Sequence, residues 1–119
     1  MLEPDLAAPK DACQPSRELL IAWLLLLLAR RAGHGYDLHR QLEAHAVCAE
    51  SGAMYRALRK LECDGCAESS WAKSVAGPRR RLYRITQRGR EELEELVGAI
   101  TLKRDVHAAF LHAHGSALR

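Results

Sequence analysis

The sequence predicts a mainly α-helical domain carrying one small β-hairpin. Apolar residues recur at helical spacing in four separate stretches. Only two short segments, Cys66 to Trp71 and Arg81 to Ile85, read as strands. With 119 residues, 48% of them apolar and 28% charged, the chain suits one globular domain with a single core. That composition excludes a wholly disordered chain.

Residues 1–15 hold three of the four prolines and no sustained periodicity, so a flexible N-terminal arm is expected there. Ser16 is placed to cap a first helix, with Glu18 favourable in its first turn. That helix runs to about Arg31 and is apolar nearly all round, which predicts burial on most sides. Its longest apolar run, Leu19 to Ala29, is 11 residues, about half of what a membrane span needs. The preceding residues carry a net negative charge, unlike a secretory leader. Four cysteines without such a leader point to reduced thiols and a cytoplasmic protein.

Gly33-His34-Gly35 breaks the first helix. A second helix is expected over about Tyr36 to Ala46, with Leu38, Leu42 and Ala46 on its inner face. A third starts near Ser51 or Gly52 and stops near Asp64-Gly65. Met54, Ala57, Leu58 and Leu61 fit its buried stripe, leaving Tyr55, Arg56, Arg59 and Lys60 outside. Tyr83 and Ile85 share one face of the second strand, Leu82 and Arg84 the other. The nine residues between the strands are too many for a tight turn. Thr86 is placed to cap a fourth helix of about 25 residues. Leu93, Leu96, Val97 and Ile100, then Leu102, Val106, Ala109 and Phe110, give it an apolar stripe. No later element covers that stripe; the first helix can cover part of it, and a second subunit is expected to cover the rest.

Charge is segregated. Residues 54–90 hold ten basic and three acidic residues, whereas 1–53 and 91–119 are each net negative. A basic middle in a small domain is an electrostatic footprint for a polyanion. The order of three helices, a hairpin and a further helix is that of a winged helix-turn-helix. Such a fold lays a helix in the major groove and uses a basic loop on phosphates. The implied layout is an arm over 1–15, a DNA-binding domain over 16–86 and a dimerisation helix over 87–114.

Three stretches then make the reading specific. They are His34-Gly35-Tyr36-Asp37-Leu38; Gly52-Ala53-Met54-Tyr55-Arg56-Ala57-Leu58-Arg59-Lys60-Leu61-Glu62 with Gly65; and Gly77-Pro78-Arg79-Arg80-Arg81-Leu82-Tyr83-Arg84-Ile85-Thr86 with Gly89. In this order and spacing the chain resembles the PadR family of bacterial transcriptional regulators over about residues 16–112. The resemblance implies a homodimeric winged-helix repressor, a palindromic DNA operator, and release by a small molecule or stress signal. It puts Tyr55, Arg56 and Arg59 on the DNA-reading helix, and Lys73, Arg79 and Arg80 on the wing. The chain departs from the family at Glu50-Ser51-Gly52-Ala53, where Ser-Pro-Gly-Thr is frequent, and at Arg56, where proline is frequent. Glu50 would repel DNA unless it caps the helix.

The candidate DNA-binding residues are therefore Tyr55, Arg56, Arg59, Lys60, Lys73, Arg79, Arg80 and Arg81. Arg59 could instead pair with Glu62 or Glu43, and Arg81 or Arg84 could lie over Tyr83. Trp23 and Trp71 are read first as core residues. The alternative makes them, with Phe110, walls of an effector cavity between subunits. Cys63 and Cys66 have C-x-x-C spacing, with Cys48 upstream, but burial as free thiols is the simpler reading. His107, His112 and His114 are read as surface residues. No cofactor is called for and no catalytic constellation is visible, which argues against an enzyme. Two alternatives stay open: a winged helix that binds protein, and a thiol-based metal or redox sensor using Cys48, Cys63 and Cys66.

Overall fold

The computed structural model describes residues 14–72 and 80–117. Most of the expected arm, together with Lys73 and Arg79 of the expected wing, lies outside the described residues. Ser16 begins helix α1 (Arg17–Arg30) as expected: its Oγ accepts the Leu19 amide at 3.1 Å. Leu20, Ala22, Leu24, Leu25, Leu27 and Leu28 of α1 are all buried. They cover most of the helix circumference, and the face of Leu19, Trp23 and Leu26 is left only partly covered.

Gly33 and His34 form a two-residue strand, β1 (Gly33–His34), before helix α2 (Gly35–Ala44). Sequence pattern alone reads this segment only as a helix break, because two residues carry no periodicity. β1 pairs with β3 (Arg80–Ile85), whose other edge pairs with β2 (Ala67–Ala72). The expected hairpin is thus the larger part of a three-stranded antiparallel sheet in the order β1-β3-β2. Ser69 and Gly33 both lie opposite Tyr83, whose side chain is buried.

Helix α2 ends earlier than its leucine spacing suggests. Ala46 is exposed and has φ +60°, so it is no part of the inner face. The Val47 amide reaches back to the Leu42 carbonyl at 2.9 Å and the Ala46 amide to that of Glu43 at 2.9 Å. This is a Schellman closure, with Val47 turned inward in place of Ala46. Helix α3 (Ser51–Cys63) closes the same way around Gly65, φ +76°. There Cys66 bonds the Leu61 carbonyl at 2.8 Å and Gly65 that of Glu62 at 3.1 Å. Met54, Ala57, Leu58 and Leu61 form the buried stripe of α3, as expected.

Helix α4 (Gln87–Ala117) has 31 residues, longer than expected. Thr86 fixes its start: Oγ1 accepts the Gly89 amide at 3.0 Å and donates to the Gly65 carbonyl at 2.6 Å. Gly89 packs directly on the Cys66 carbonyl, which leaves no space for a Cβ. Further along, Lys103 ties α4 to the start of α1 through Glu18 at 2.6 Å. From Leu102 to Ala117 every described side chain is exposed. The helix outruns its own domain, which is why the molecule measures 63 × 31 × 21 Å.

Candidate nucleic-acid interface

The outward face of α3 is built by default. Once its apolar stripe packs on α1, the residues left outside include Tyr55, Arg56, Arg59 and Lys60, all exposed. Among the described residues Arg56 and Arg59 have no carboxylate partner. The pairings considered for Arg59 do not form, because both carboxylates face other groups. Glu43 faces His39 at 3.8 Å, and Glu62 accepts from Ser69 Oγ at 2.6 Å and faces Arg81 at 3.6 Å. Lys60 is held by Asp64 one turn on, at 2.8 Å. Both partners are about half-exposed, so this link is weak. Glu50 precedes α3 without capping it through its side chain.

Glu62 is the joint between α3 and the sheet. It holds a hydroxyl on β2 and a guanidinium on β3, which sets the angle between helix and hairpin. The Arg81 guanidinium also lies over the Trp71 ring, 4.8 Å from its centroid. Arg81 and Trp71 are cross-strand partners, so the stacking follows from register. Neither Arg81 nor Arg84 is needed over Tyr83, which is covered by the core instead. Burial, followed by the charge of Glu62, pushes the Tyr83 phenol above its ordinary value of 10.0 and keeps it neutral.

Tyr55 crosses from α3 to the start of α2. A Cβ added at Gly35 would come within 2.5 Å of the Tyr55 hydroxyl, so the glycine there makes room for the ring. His34 is also fixed, its Nδ1 3.2 Å from the Arg81 carbonyl oxygen. These residues enclose a cleft of about 360 Å³ lined by His34, Gly35, Tyr36, Tyr55, Arg80, Arg81 and Tyr83. It sits between the start of α2, the outward face of α3 and the Arg80 end of β3. Of the residues singled out in sequence, it brings Tyr55, Arg80 and Arg81 together. Sequence reasoning missed Tyr36 and Glu62 as parts of this arrangement. Both lie in stretches that the sequence displays, His34-Gly35-Tyr36 and Arg59-Lys60-Leu61-Glu62.

Trp23, Trp71 and Phe110 do not converge within the protomer. Trp23 is half-buried, meets the His45 ring at a tilt with centroids 4.7 Å apart, and lines a groove between α1 and α4 with Leu19, Leu26, Val97 and Ile100. Trp71 is 58% exposed on the hairpin and is not a core residue. Phe110 lies on the overhanging part of α4, exposed and near His114. The thiols are also dispersed in character: Cys66 is buried, Cys63 exposed and Cys48 half-buried. Burial, more than any nearby charge, pushes the Cys66 thiol above 9.0, which makes it a poor ligand or nucleophile. Among the described residues, no three His, Cys, Asp or Glu side chains are grouped to hold a metal ion.

Three helices, a sheet with its hairpin, and a long final helix define a winged helix-turn-helix protein. The chain belongs to the Transcriptional regulator PadR-like family, whose sequence profile matches residues 24–95. It is 36% identical to the transcriptional regulator Rv3488 of Mycobacterium tuberculosis over 84 residues, 70% of this chain and 78% of that protein. Among solved structures it is similar to a PadR-like transcriptional regulator from Bacillus cereus. That match has 26% identity and a TM-score of 0.68 over 78% of this chain and 91% of the other. A PadR family regulator from Clostridium difficile shares the fold at 24% identity, with a TM-score of 0.70 over 77% and 97% of the two chains. The family is one of transcription regulators, not enzymes, and its members bind DNA. No described helix is long and apolar enough to cross a membrane.

Proposed function

We propose that this protein is a cytoplasmic, homodimeric repressor that binds a palindromic operator and is released by a small-molecule or stress signal. The observation that carries the DNA part is the outward face of α3. Two arginines there, Arg56 and Arg59, lack acidic partners among the described residues and sit beside Tyr55. Arg56, Arg59 and Tyr55 read or position the bases, with Lys60 at the far end of the same helix. Arg80 and Arg81, with Lys73 and Arg79 of the connecting loop, supply phosphate affinity.

Pairing is supported by the overhang of α4. Leu102, Val106, Phe110 and Leu111 are each at least 60% exposed on the overhanging end of α4. An apolar patch of this kind marks an interaction surface. A second copy would also roof the groove at Trp23, which is where a small apolar effector would be held. With a two-fold axis, the two α3 helices enter successive major grooves about 34–36 Å apart.

The test is selection of bound fragments from the source genome, followed by competition between the recovered site and random duplexes at physiological salt. A preference of about a thousandfold or more is expected of a specific regulator. Equal binding to both would instead favour a winged helix that recognises another protein.

A further inference from the structure

We propose that the cleft between α2 and the Arg80 end of β3 is a seat for one DNA-backbone phosphodiester, with the Tyr36 hydroxyl as a donor. This rests on the DNA-binding reading and adds a site to it. Three independent features meet there. Arg80 and Arg81 bring positive charge from β3. Tyr36 and Tyr55 bring phenol groups from two different helices, both exposed. The start of α2 brings peptide N–H groups with no side-chain cap from His34. Uncapped helical N–H groups favour an anion, and here they do not act alone.

Two acids bear on the site. Asp37 lies in the first turn of α2 and is exposed, and Glu62 partly engages Arg81. Arg80 is the cation left to meet the phosphate, since it has no acidic partner among the described residues. A phosphodiester fits better than a free anion for a reason of position. Tyr55 belongs both to the cleft and to the outward face of α3, so a duplex lying on α3 carries its backbone across the opening. Phosphate contacts of this kind hold the register of the helix in the groove without reading sequence.

The test uses Tyr36→Phe, which keeps the exposed ring and its stacking on Arg40, 5.9 Å away. Binding of the full-length protein to an arbitrary-sequence duplex is measured across a salt series, beside Arg80→Ala, Arg59→Ala and the Tyr36→Phe/Arg80→Ala double variant. Tyr36→Phe should bind about three- to tenfold more weakly at every salt concentration, as loss of one hydrogen bond predicts. Its salt slope should be unchanged, because a phenol releases no counterion. Arg80→Ala should lower the slope by about 0.9 for the phosphate it no longer neutralises. The double variant should lose less than the sum, because both groups hold the same oxygen atoms. Wild-type binding by Tyr36→Phe alongside a reduced slope for Arg80→Ala would overturn the seat and leave DNA binding intact. So would strict additivity. Failure of the wild-type protein to bind the duplex at any salt concentration would overturn the DNA-binding reading itself.

Discussion

Replacing Gly89 by alanine should unfold this domain more readily, against the propensity scale. Alanine is favoured over glycine inside a helix by about 1 kcal/mol. At this position the added methyl overlaps the Cys66 carbonyl oxygen and lies 2.8 Å from Ile85 Cγ1. The first neighbour is backbone, so no rotamer change relieves it. Helix α4 must lift away from the turn between α3 and β2. That movement stretches Thr86 N to the Cys66 carbonyl, 3.1 Å, and Thr86 Oγ1 to the Gly65 carbonyl, 2.6 Å. Two hydrogen bonds at about 1 kcal/mol each and an overpacking cost of about 1–3 kcal/mol outweigh the propensity gain. The net loss is about 2–4 kcal/mol, or a fall in melting temperature of about 10 °C or more for a chain of this size. Urea unfolding followed by tryptophan fluorescence, at one fixed protein concentration, measures it. Gly98, with open space where its Cβ would be, is the internal control. Gly98→Ala should stabilise by about 0.5–1 kcal/mol. A Gly89→Ala protein as stable as wild type would refute the close-contact argument.

The two Schellman closures should respond oppositely. Ala46→Gly relieves a left-handed alanine and should add about 0.5–1 kcal/mol, while Gly65→Ala should remove about the same, both read from denaturant midpoints. Leu58→Ala empties a fully buried site and should cost about 2–5 kcal/mol by the same assay. Cys66 and Tyr83 are both held protonated by burial. The folded protein therefore binds their protons more tightly than the unfolded one. Their stabilising contribution is complete below about pH 9 and should be lost as pH rises through the raised values. A melting temperature that stayed level from pH 8 to 11 would contradict this. Iodoacetamide should label Cys63 in the native protein and Cys66 only after unfolding, as peptide mapping would show.

Much of this fold is written in local pattern. Ser16 and Thr86 mark helix starts with side-chain oxygens, and Gly65 marks a helix end. The stripe Met54, Ala57, Leu58 and Leu61 decides which side of α3 faces out. The parts that pattern could not show depend on tertiary neighbours. β1 is strand only because β3 lies beside it. Ala46 adopts a left-handed conformation that favours glycine, because turning there buries Val47. Trp71 looks like core by composition, yet its register opposite Arg81 puts it on the surface under a guanidinium. Glu62 reads as one more helix charge until the sheet brings Ser69 and Arg81 to it. The site follows the same division. Its outward arginines were visible in sequence, whereas the cleft at Tyr36 needed α2, α3 and β3 to be assembled.

Central to the proposed function is that two joined protomers each offer α3 to the same DNA. Footprinting of the selected genomic site, together with the protein-to-duplex ratio at saturation, tests that most directly. Two protomers per duplex, protecting half-sites about one helical turn apart, with protection lost in Arg59→Ala, is the predicted result. One protomer per duplex, or the same protection with Arg59 removed, would contradict it.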